Sequence, residues 1–313
     1  MKNAVQRKVH TYLLENGFIN VDKDSHAIIR NFNADNLLYE MTACLTVTWS
    51  GEQSTLYKII DGFLCVANFY PSGDFSYFIN RPAAAHDLQH IVDTLYNITL
   101  KAGLNALPVW DIEERFLDDY LCLKGYAVKT EYNDAMSEYV YSAESLLDLH
   151  GGINMNKRHQ VGKFIDKPNI TVQTITRENI NLCLDIENQW CSLRDCSLCE
   201  SFAGCSKKTM EIMSGIFDNS VYRGILGYVD GTLAGYLIFE KTNEYLAYIH
   251  FVKAVIPNFS VYLYYFAAQR FLNDVRQINN GADLGNQGLR LFKRRLGVHE
   301  LLKKYLCTFT KEG

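Results

Sequence analysis

The sequence predicts an α/β (α+β) chain of two domains, each a mixed, largely antiparallel sheet covered by helices. Three observations predict it. The same strand–turn–strand–turn–strand pattern occurs at Leu56–Asn80 and again at Tyr222–Phe251. Each copy places an Asp-Gly pair at its first turn, Asp61-Gly62 and Asp230-Gly231. Each is followed by a helical stretch, then by a shorter helix ending near a glycine and a short strand. A pattern used twice divides the molecule.

The elements follow in order. The N-terminal run reads as an amphipathic helix with Val5, Val9, Tyr12 and Leu13 on one stripe, without the apolar core of a signal peptide. A type I′ turn needs positive φ at both central residues, which Asp-Gly supplies at low cost between two strands. Helices are expected over Ala83–Ala102 and over Arg115–Lys124 before Gly125, then a strand at Tyr126–Thr130. Ser142 and Ser145 offer capping oxygens to a helix holding Leu146, Leu147 and Leu149. Asn154–Phe164 reads as a short basic helix, Thr171–Thr174 as a strand and Thr176–Trp190 as a helix with a capping threonine. Val221–Val229, Thr232–Glu240 and Tyr245–Lys253 form the second meander. Helices over Ser260–Arg276 and Asn286–Leu296 and a strand at Leu306–Phe309 complete the chain. The domain boundary is expected near residue 150.

Composition excludes several classes. A length of 313 residues favours two domains, and 48% hydrophobic content lets each bury a core. A net charge of −4 argues against coating nucleic acid by charge alone. No apolar run approaches the ~18 residues of a membrane span. Nine cysteines without an export signal imply reduced thiols and a cytoplasmic protein. The GxSxG, GxxxxGK[ST], HExxH and GxGxxG motifs are absent, so hydrolase triads, nucleotide hydrolysis, zinc proteolysis and dinucleotide redox have no support.

Three constellations remain. In Ile278–Tyr305, Asp283-Leu-Gly and Gly288-Leu-Arg flank the start of a helix, where exposed N–H groups suit an anion. Arg290, Lys293, Arg294 and Arg295 follow on that helix; the plainer reading is a solvated helix face. His250 and Lys253 end the third strand of the second meander, three positions apart, so a regular strand points them to opposite faces. Cys191, Cys196, Cys199 and Cys205 are dense enough for a metal site, but only Cys196 and Cys199 form a CxxC pair. Incidental reduced thiols are the leading reading, with no metal expected.

Together these segments resemble the phosphatidylglycerol lysyltransferase C-terminal domain family, which is built from two tandem acetyltransferase-like (GNAT) folds and related to Fem-type aminoacyl transferases. The resemblance rests on Ile278-Asn279, Asp283-Leu284-Gly285, Gly288-Leu289-Arg290, Lys293, Leu301-Leu302 and Lys304-Tyr305. It also rests on Glu138-Tyr-Val-Tyr, Leu146, Leu149, Gly151, Lys157-Arg158 and Phe164, and on His250-Phe with Lys253-Ala254. It implies transfer of an acyl or aminoacyl group from a carrier, acyl-CoA or aminoacyl-tRNA, to an amine or hydroxyl. The acceptor would be a small molecule or a lipid headgroup, and tRNA a partner. Residues 151–313 would carry the active cleft, with 1–150 structural or on the acceptor side.

The resemblance makes Lys253, Asn279 and Asp283 the catalytic candidates, and His250, Gly285, Gly288, Arg290 and Lys293 the substrate-binding ones. Asp283 would hold an ammonium, Arg290 and Lys293 a phosphate or carboxylate. Lys157, Arg158, Arg294 and Arg295 would form a nucleic-acid or anion surface. Two departures stand out. Ile256–Val261 has no glycine where an acetyltransferase phosphate cradle is expected, and Asn280-Gly-Ala replaces an arginine and two acids. The alternative is a catalytically inactive binding protein whose pocket is filled by Phe251, Phe259 or Phe292.

Overall fold

Both Asp-Gly pairs turn with positive φ at both residues, 47° and 84° at Asp61-Gly62 and 51° and 74° at Asp230-Gly231. The computed structural model that shows this describes residues 4–32, 37–50, 54–80, 87–152, 154–194 and 206–312. The chain forms two units, Met1–Ser137 with Leu302–Gly313, and Glu138–Leu301.

Unit 1 begins with α1 (Ala4–Glu15), β1 (Ile19–Asn20), α2 (His26–Arg30) and α3 (Ala43–Trp49). The expected meander follows as β2 (Ser54–Ile60), β3 (Phe63–Phe69) and β4 (Phe75–Asn80). Then come α4 (Leu88–Lys101), β5 (Leu107–Glu113), α5 (Leu117–Leu121) and β6 (Tyr126–Tyr132). Asp87 caps α4, its carboxylate accepting from the His90 N–H, and Ile91, Val92 and Leu95 bury one helix face on the sheet. Val9 and Leu13 of α1 join the same core.

Unit 2 opens with β7 (Glu138–Tyr141), α6 (Ala143–Leu147), α7 (Met155–Gly162) and β8 (Ile170–Thr174). The Ser142/Ser145 capping box forms as the sequence predicts. Two helices, α8 (Leu182–Arg194) and α9 (Ser206–Ile216), precede the meander β9 (Tyr222–Val229), β10 (Thr232–Lys241) and β11 (Leu246–Ala254). It closes with α10 (Phe259–Phe271), β12 (Gln277–Ala282), α11 (Gln287–Arg295) and β13 (Glu300–Leu302), after which β14 (Lys304–Lys311) returns to unit 1. Phe259, Leu263 and Ala267 of α10 pack with Leu237, Phe239, Ile249 and Ile278. Fully burying each large side chain contributes about 2–3 kcal/mol. Helix α8 lies against β10 and β11.

The two sheets share one order, β1-β2-β3-β4-β5-β14-β6 and β8-β9-β10-β11-β12-β7-β13. Each is mixed and mostly antiparallel, and each includes a parallel pairing, β4 with β5 and β11 with β12. In each, a strand distant in sequence is inserted before the last one. The boundary therefore differs from the expected residue 150. Residues 138–141 hydrogen-bond to β12, and Leu146 packs in the core of unit 2, while the last strand completes the sheet of unit 1.

Candidate active site

The parallel pairing of β11 with β12 is short, from Leu246↔Gln277 to Tyr248↔Asn279. Beyond it, β11 continues along β10 to Ala254, while β12 continues along β7. The two central strands therefore part after Tyr248. A split of this kind releases backbone N–H groups from the ladder, and such groups can face a carbonyl oxygen that gains charge.

A bulge sits at the split. Ile238 faces Phe251 but Phe239 faces Ile249, so His250 is the extra residue. This changes the expected geometry of His250 and Lys253. Alternation is broken between them, and both side chains meet groups on the α8 side of the sheet. His250 Nε2 lies 3.3 Å from Glu240 Oε2, and its ring stacks on Tyr248 and meets Tyr222 edge-on. Lys253 Nζ lies 3.5 Å from the Trp190 ring centre on α8, a cation–π contact.

A buried polar cluster surrounds this pair. Tyr236, whose strand partner is Lys253, donates a short hydrogen bond to Glu187 of α8. Ser206 donates to the other Glu187 oxygen at 2.7 Å. Burial and the neighbouring Glu187 push the Tyr236 phenol well above its ordinary value, so it stays a donor. Asn279 donates to Glu138 at 2.7 Å and accepts from the Gly281 N–H at 2.8 Å. Glu138, Glu187 and Glu240 are thus three buried carboxylates on strands and a helix of one unit. Sequence reasoning named His250, Lys253 and Asn279 here as site candidates, and Glu138 as part of the family resemblance alone. The available signal for the rest was Glu240, a lone acid near the end of an apolar strand run.

The other candidates form a bracket at the end of β12. Asp283 is fully buried and accepts from Tyr139 Oη at 2.6 Å, the Gly285 N–H at 2.8 Å, and Arg290 Nε and Nη2 at 2.8 and 3.2 Å. Burial raises its carboxyl, but the bonds from Arg290, Tyr139 and Gly285 outweigh that and hold it below its ordinary value. Lys293 is buried, and its ammonium donates to the carbonyls of Asn280, Gly281 and Ala282 at 2.5, 2.9 and 2.8 Å. The helix start expected to receive an anion is thus met by the protein itself. Gly285 N–H serves Asp283, and Asn286 Oδ1 accepts from Leu289 N–H. Gly288 lies exposed in the first turn of α11.

The expected basic surface is corrected in part. Lys157 is buried and donates to the Ser145 and Leu296 carbonyls at 2.6 and 3.3 Å, so it ties α7 to α6 and to the C-terminal end of α11 rather than facing solvent. Arg158 donates to the Leu149 and Gly151 carbonyls. Arg294 and Arg295 are exposed. Cys191 lies half-buried on α8, while Cys196, Cys199 and Cys205 lie outside the described residues. Before α10, Asn258 has φ 69° and Phe259 is buried against Gly227 and 5.1 Å from the Phe164 ring. The first residue of the helix where a phosphate cradle was sought thus packs into the core of unit 2; Phe251 and Phe292 are half-buried.

Two mixed sheets of one strand order, with the central strands of the second parting, define a protein of two like α/β units. Residues 39–308 match the family described as phosphatidylglycerol lysyltransferase, C-terminal, and the chain belongs to that family. Among solved structures, a conserved protein of unknown function from Bacteroides thetaiotaomicron VPI-5482 is similar at 22% identity and TM-score 0.84, covering 94% of this chain and 99% of that one. L-PGS from Bacillus licheniformis is similar at 14% identity and TM-score 0.56, covering 96% and 90%. FemX is similar at 10% identity and TM-score 0.59, covering 90% and 95%. At these identities the likeness is one of fold. Among curated proteins none matches the sequence. Among the described residues no helix is long and apolar enough to cross a membrane.

Proposed function

We propose that this chain transfers an aminoacyl group from a carrier to an amine or hydroxyl acceptor at the split between β11 and β12. The observation that carries the reading is the parting of these strands at Tyr248, with the His250–Glu240 pair beneath it and Lys253 beyond it. The acceptor nitrogen or oxygen attacks the ester carbonyl of the carrier, the carbonyl oxygen gains charge, and the carrier hydroxyl leaves with the acceptor's proton. Backbone donors of β11 and the Lys253 ammonium stabilise that charge, while the buried pair fixes the shape of the bulge. The lack of a glycine in Ile256–Val261, where an acetyltransferase phosphate cradle is expected, supports aminoacyl-tRNA over acyl-CoA as donor. Asp283, Arg290 and Lys293 act as positioning residues that hold β12 against α11. Of the cations expected to form an anion surface, exposed Arg158, Arg294 and Arg295 then meet a polyanionic carrier.

The test is incubation with charged tRNA and, separately, acyl-CoA, with cell extract and defined amines as acceptors and mass spectrometry as readout. The expected result is an acceptor heavier by one aminoacyl residue, with about a 100-fold slower rate in Lys253→Ala. No mass increment from charged tRNA on any acceptor would sink the reading. One observation favours a second reading, a catalytically inactive binding protein: Asp283, Arg290 and Lys293 satisfy one another and the backbone. The same assay separates the two.

A further inference from the structure

Helix α8 carries a buried carboxylate that the transfer step does not use. Glu187 is fully buried, and both of its oxygens accept hydrogen bonds, one from Tyr236 of β10 and one from Ser206, the first residue of α9. Three residues further along α8, the Trp190 ring meets the Lys253 ammonium, 3.5 Å from the ring centre. The two residues that α8 meets are themselves neighbours, because Tyr236 and Lys253 face each other across β10 and β11. One turn of helix therefore touches one cross-strand pair at two points.

The spacings suit this. Residues three apart rise about 4.5 Å along a helix, and facing residues of paired strands lie about 5 Å apart. Beside these contacts, Cys183 and Ile186 bury the inner face of α8. Apolar contact is non-directional, so by itself it leaves a helix free to shift along a sheet. A hydrogen bond is directional, and Tyr236 together with Ser206 holds the Glu187 carboxylate in one orientation. An acid buried there costs more than a leucine of similar volume would. What it adds is register.

We propose that Glu187 and Tyr236 are positioning residues for aminoacyl transfer, setting α8 so that the Trp190 ring holds the Lys253 ammonium at the split. The inference rests on the transfer reading above, in which Lys253 stabilises the charge on the carbonyl oxygen. Neither Glu187 nor Tyr236 touches the reacting atoms. Both act through Trp190 and Lys253, so their loss lowers the rate without weakening capture of the carrier.

Two measurements on the full chain test this. The first is NMR of protein whose lysines are isotope-labelled at the ε carbon, with the Lys253 signal identified by its loss in Lys253→Arg. An ammonium held over an indole face brings its ε-methylene under the ring current, so this signal is expected upfield of the exposed lysines. Trp190→Leu removes the displacement, and Tyr236→Phe and Glu187→Leu are expected to lose most of it. Cys183→Ala, one turn earlier on the same helix, is expected to lower the melting temperature and leave the Lys253 signal in place. The second measurement is kinetics with charged tRNA. Tyr236→Phe is expected to lower kcat about tenfold with KM within about twofold, and to have no further effect in a Lys253→Ala chain. A Lys253 signal unmoved by Tyr236→Phe and Glu187→Leu overturns the proposal. So does a rate loss from Tyr236→Phe that persists undiminished in the Lys253→Ala chain, or one that falls on KM alone. Absence of transfer in the parent chain removes the reaction and this role with it; it is told apart from a failed clamp because the Lys253 signal still moves in the variants.

Discussion

Asp283 and Arg290 are joined by two hydrogen bonds, Nε to Oδ2 at 2.8 Å and Nη2 to Oδ1 at 3.2 Å, which fasten the end of β12 to the first turn of α11. The carboxylate is wholly buried and the guanidinium is 30% exposed. Removing the arginine leaves a buried charge with only Tyr139 and Gly285 as donors. Arg290→Ala should therefore cost about 2–3 kcal/mol, at the low end for a broken buried pair because solvent screens one partner. Urea unfolding of the two proteins measures this, and an unchanged midpoint would show that the bracket bears no strain.

The same carboxylate gives a pH dependence with a definite sign. Burial raises the Asp283 carboxyl, yet its donors, Arg290 first, bring it below the ordinary 3.8. A folded value below the unfolded one contributes stability that is complete above 3.8 and is lost as pH falls through the lower folded value. Asp283→Asn should thus be less stable than the parent at neutral pH, and the gap should shrink below pH 3.8. A gap that widens on acidification would contradict the assignment.

Lys293 meets three consecutive carbonyls, those of Asn280, Gly281 and Ala282. Replacing it with methionine keeps most of the stem volume but leaves those acceptors without their shared donor, at about 1–3 kcal/mol for each one that stays buried and unmet. Water will reach some of them, so about 3 kcal/mol in total is expected. Arg294→Ala and Arg295→Ala, on the exposed side of the same helix, should change stability by less than about 0.5 kcal/mol. Thermal melts of the three variants compare them directly.

That contrast marks what the sequence could and could not tell. Turn chemistry is local, so Asp61-Gly62, Asp230-Gly231 and the Ser142/Ser145 box were legible and form as read. Charge was not. Lys157, Lys293, Arg294 and Arg295 are all basic residues on short helices, and only packing distinguishes two buried backbone clamps from two solvated cations. The bulge at His250 was hidden because alternation carries no mark of an extra residue until the partner strand is known. The pairings of the buried acids Glu138 and Glu187 were hidden because their donors, Asn279 and Tyr236, are 141 and 49 residues away.

Strand insertion makes a prediction about autonomy. β14 lies between β5 and β6 and pairs with both, so a fragment ending at residue 150 lacks the strand that joins β6 to its sheet and exposes two edges. Residues 1–150 alone should bind a hydrophobic dye and show little amide protection. Residues 1–137 joined by a flexible linker to 302–313 should regain protection in β5 and β6. Equal protection in both fragments would mean that the inserted strand is dispensable.

The last prediction tests whether the split depends on how closely β10 approaches β11. A Cβ built on Gly235 would lie 2.6 Å from the Lys253 carbonyl oxygen and 3.0 Å from Ala254 Cα, both backbone atoms. Neither can swing aside as a side chain would, so Gly235→Ala must push the end of β11 away from β10. Overpacking of this kind costs about 1–3 kcal/mol. The displacement falls on Lys253 and the strand beyond the bulge, where small errors of position weigh more heavily on rate than on stability. Transfer should fall by about 100-fold, and the loss should persist at temperatures where circular dichroism shows the variant folded. A folded variant with full transfer activity would remove the far end of β11 from the reaction.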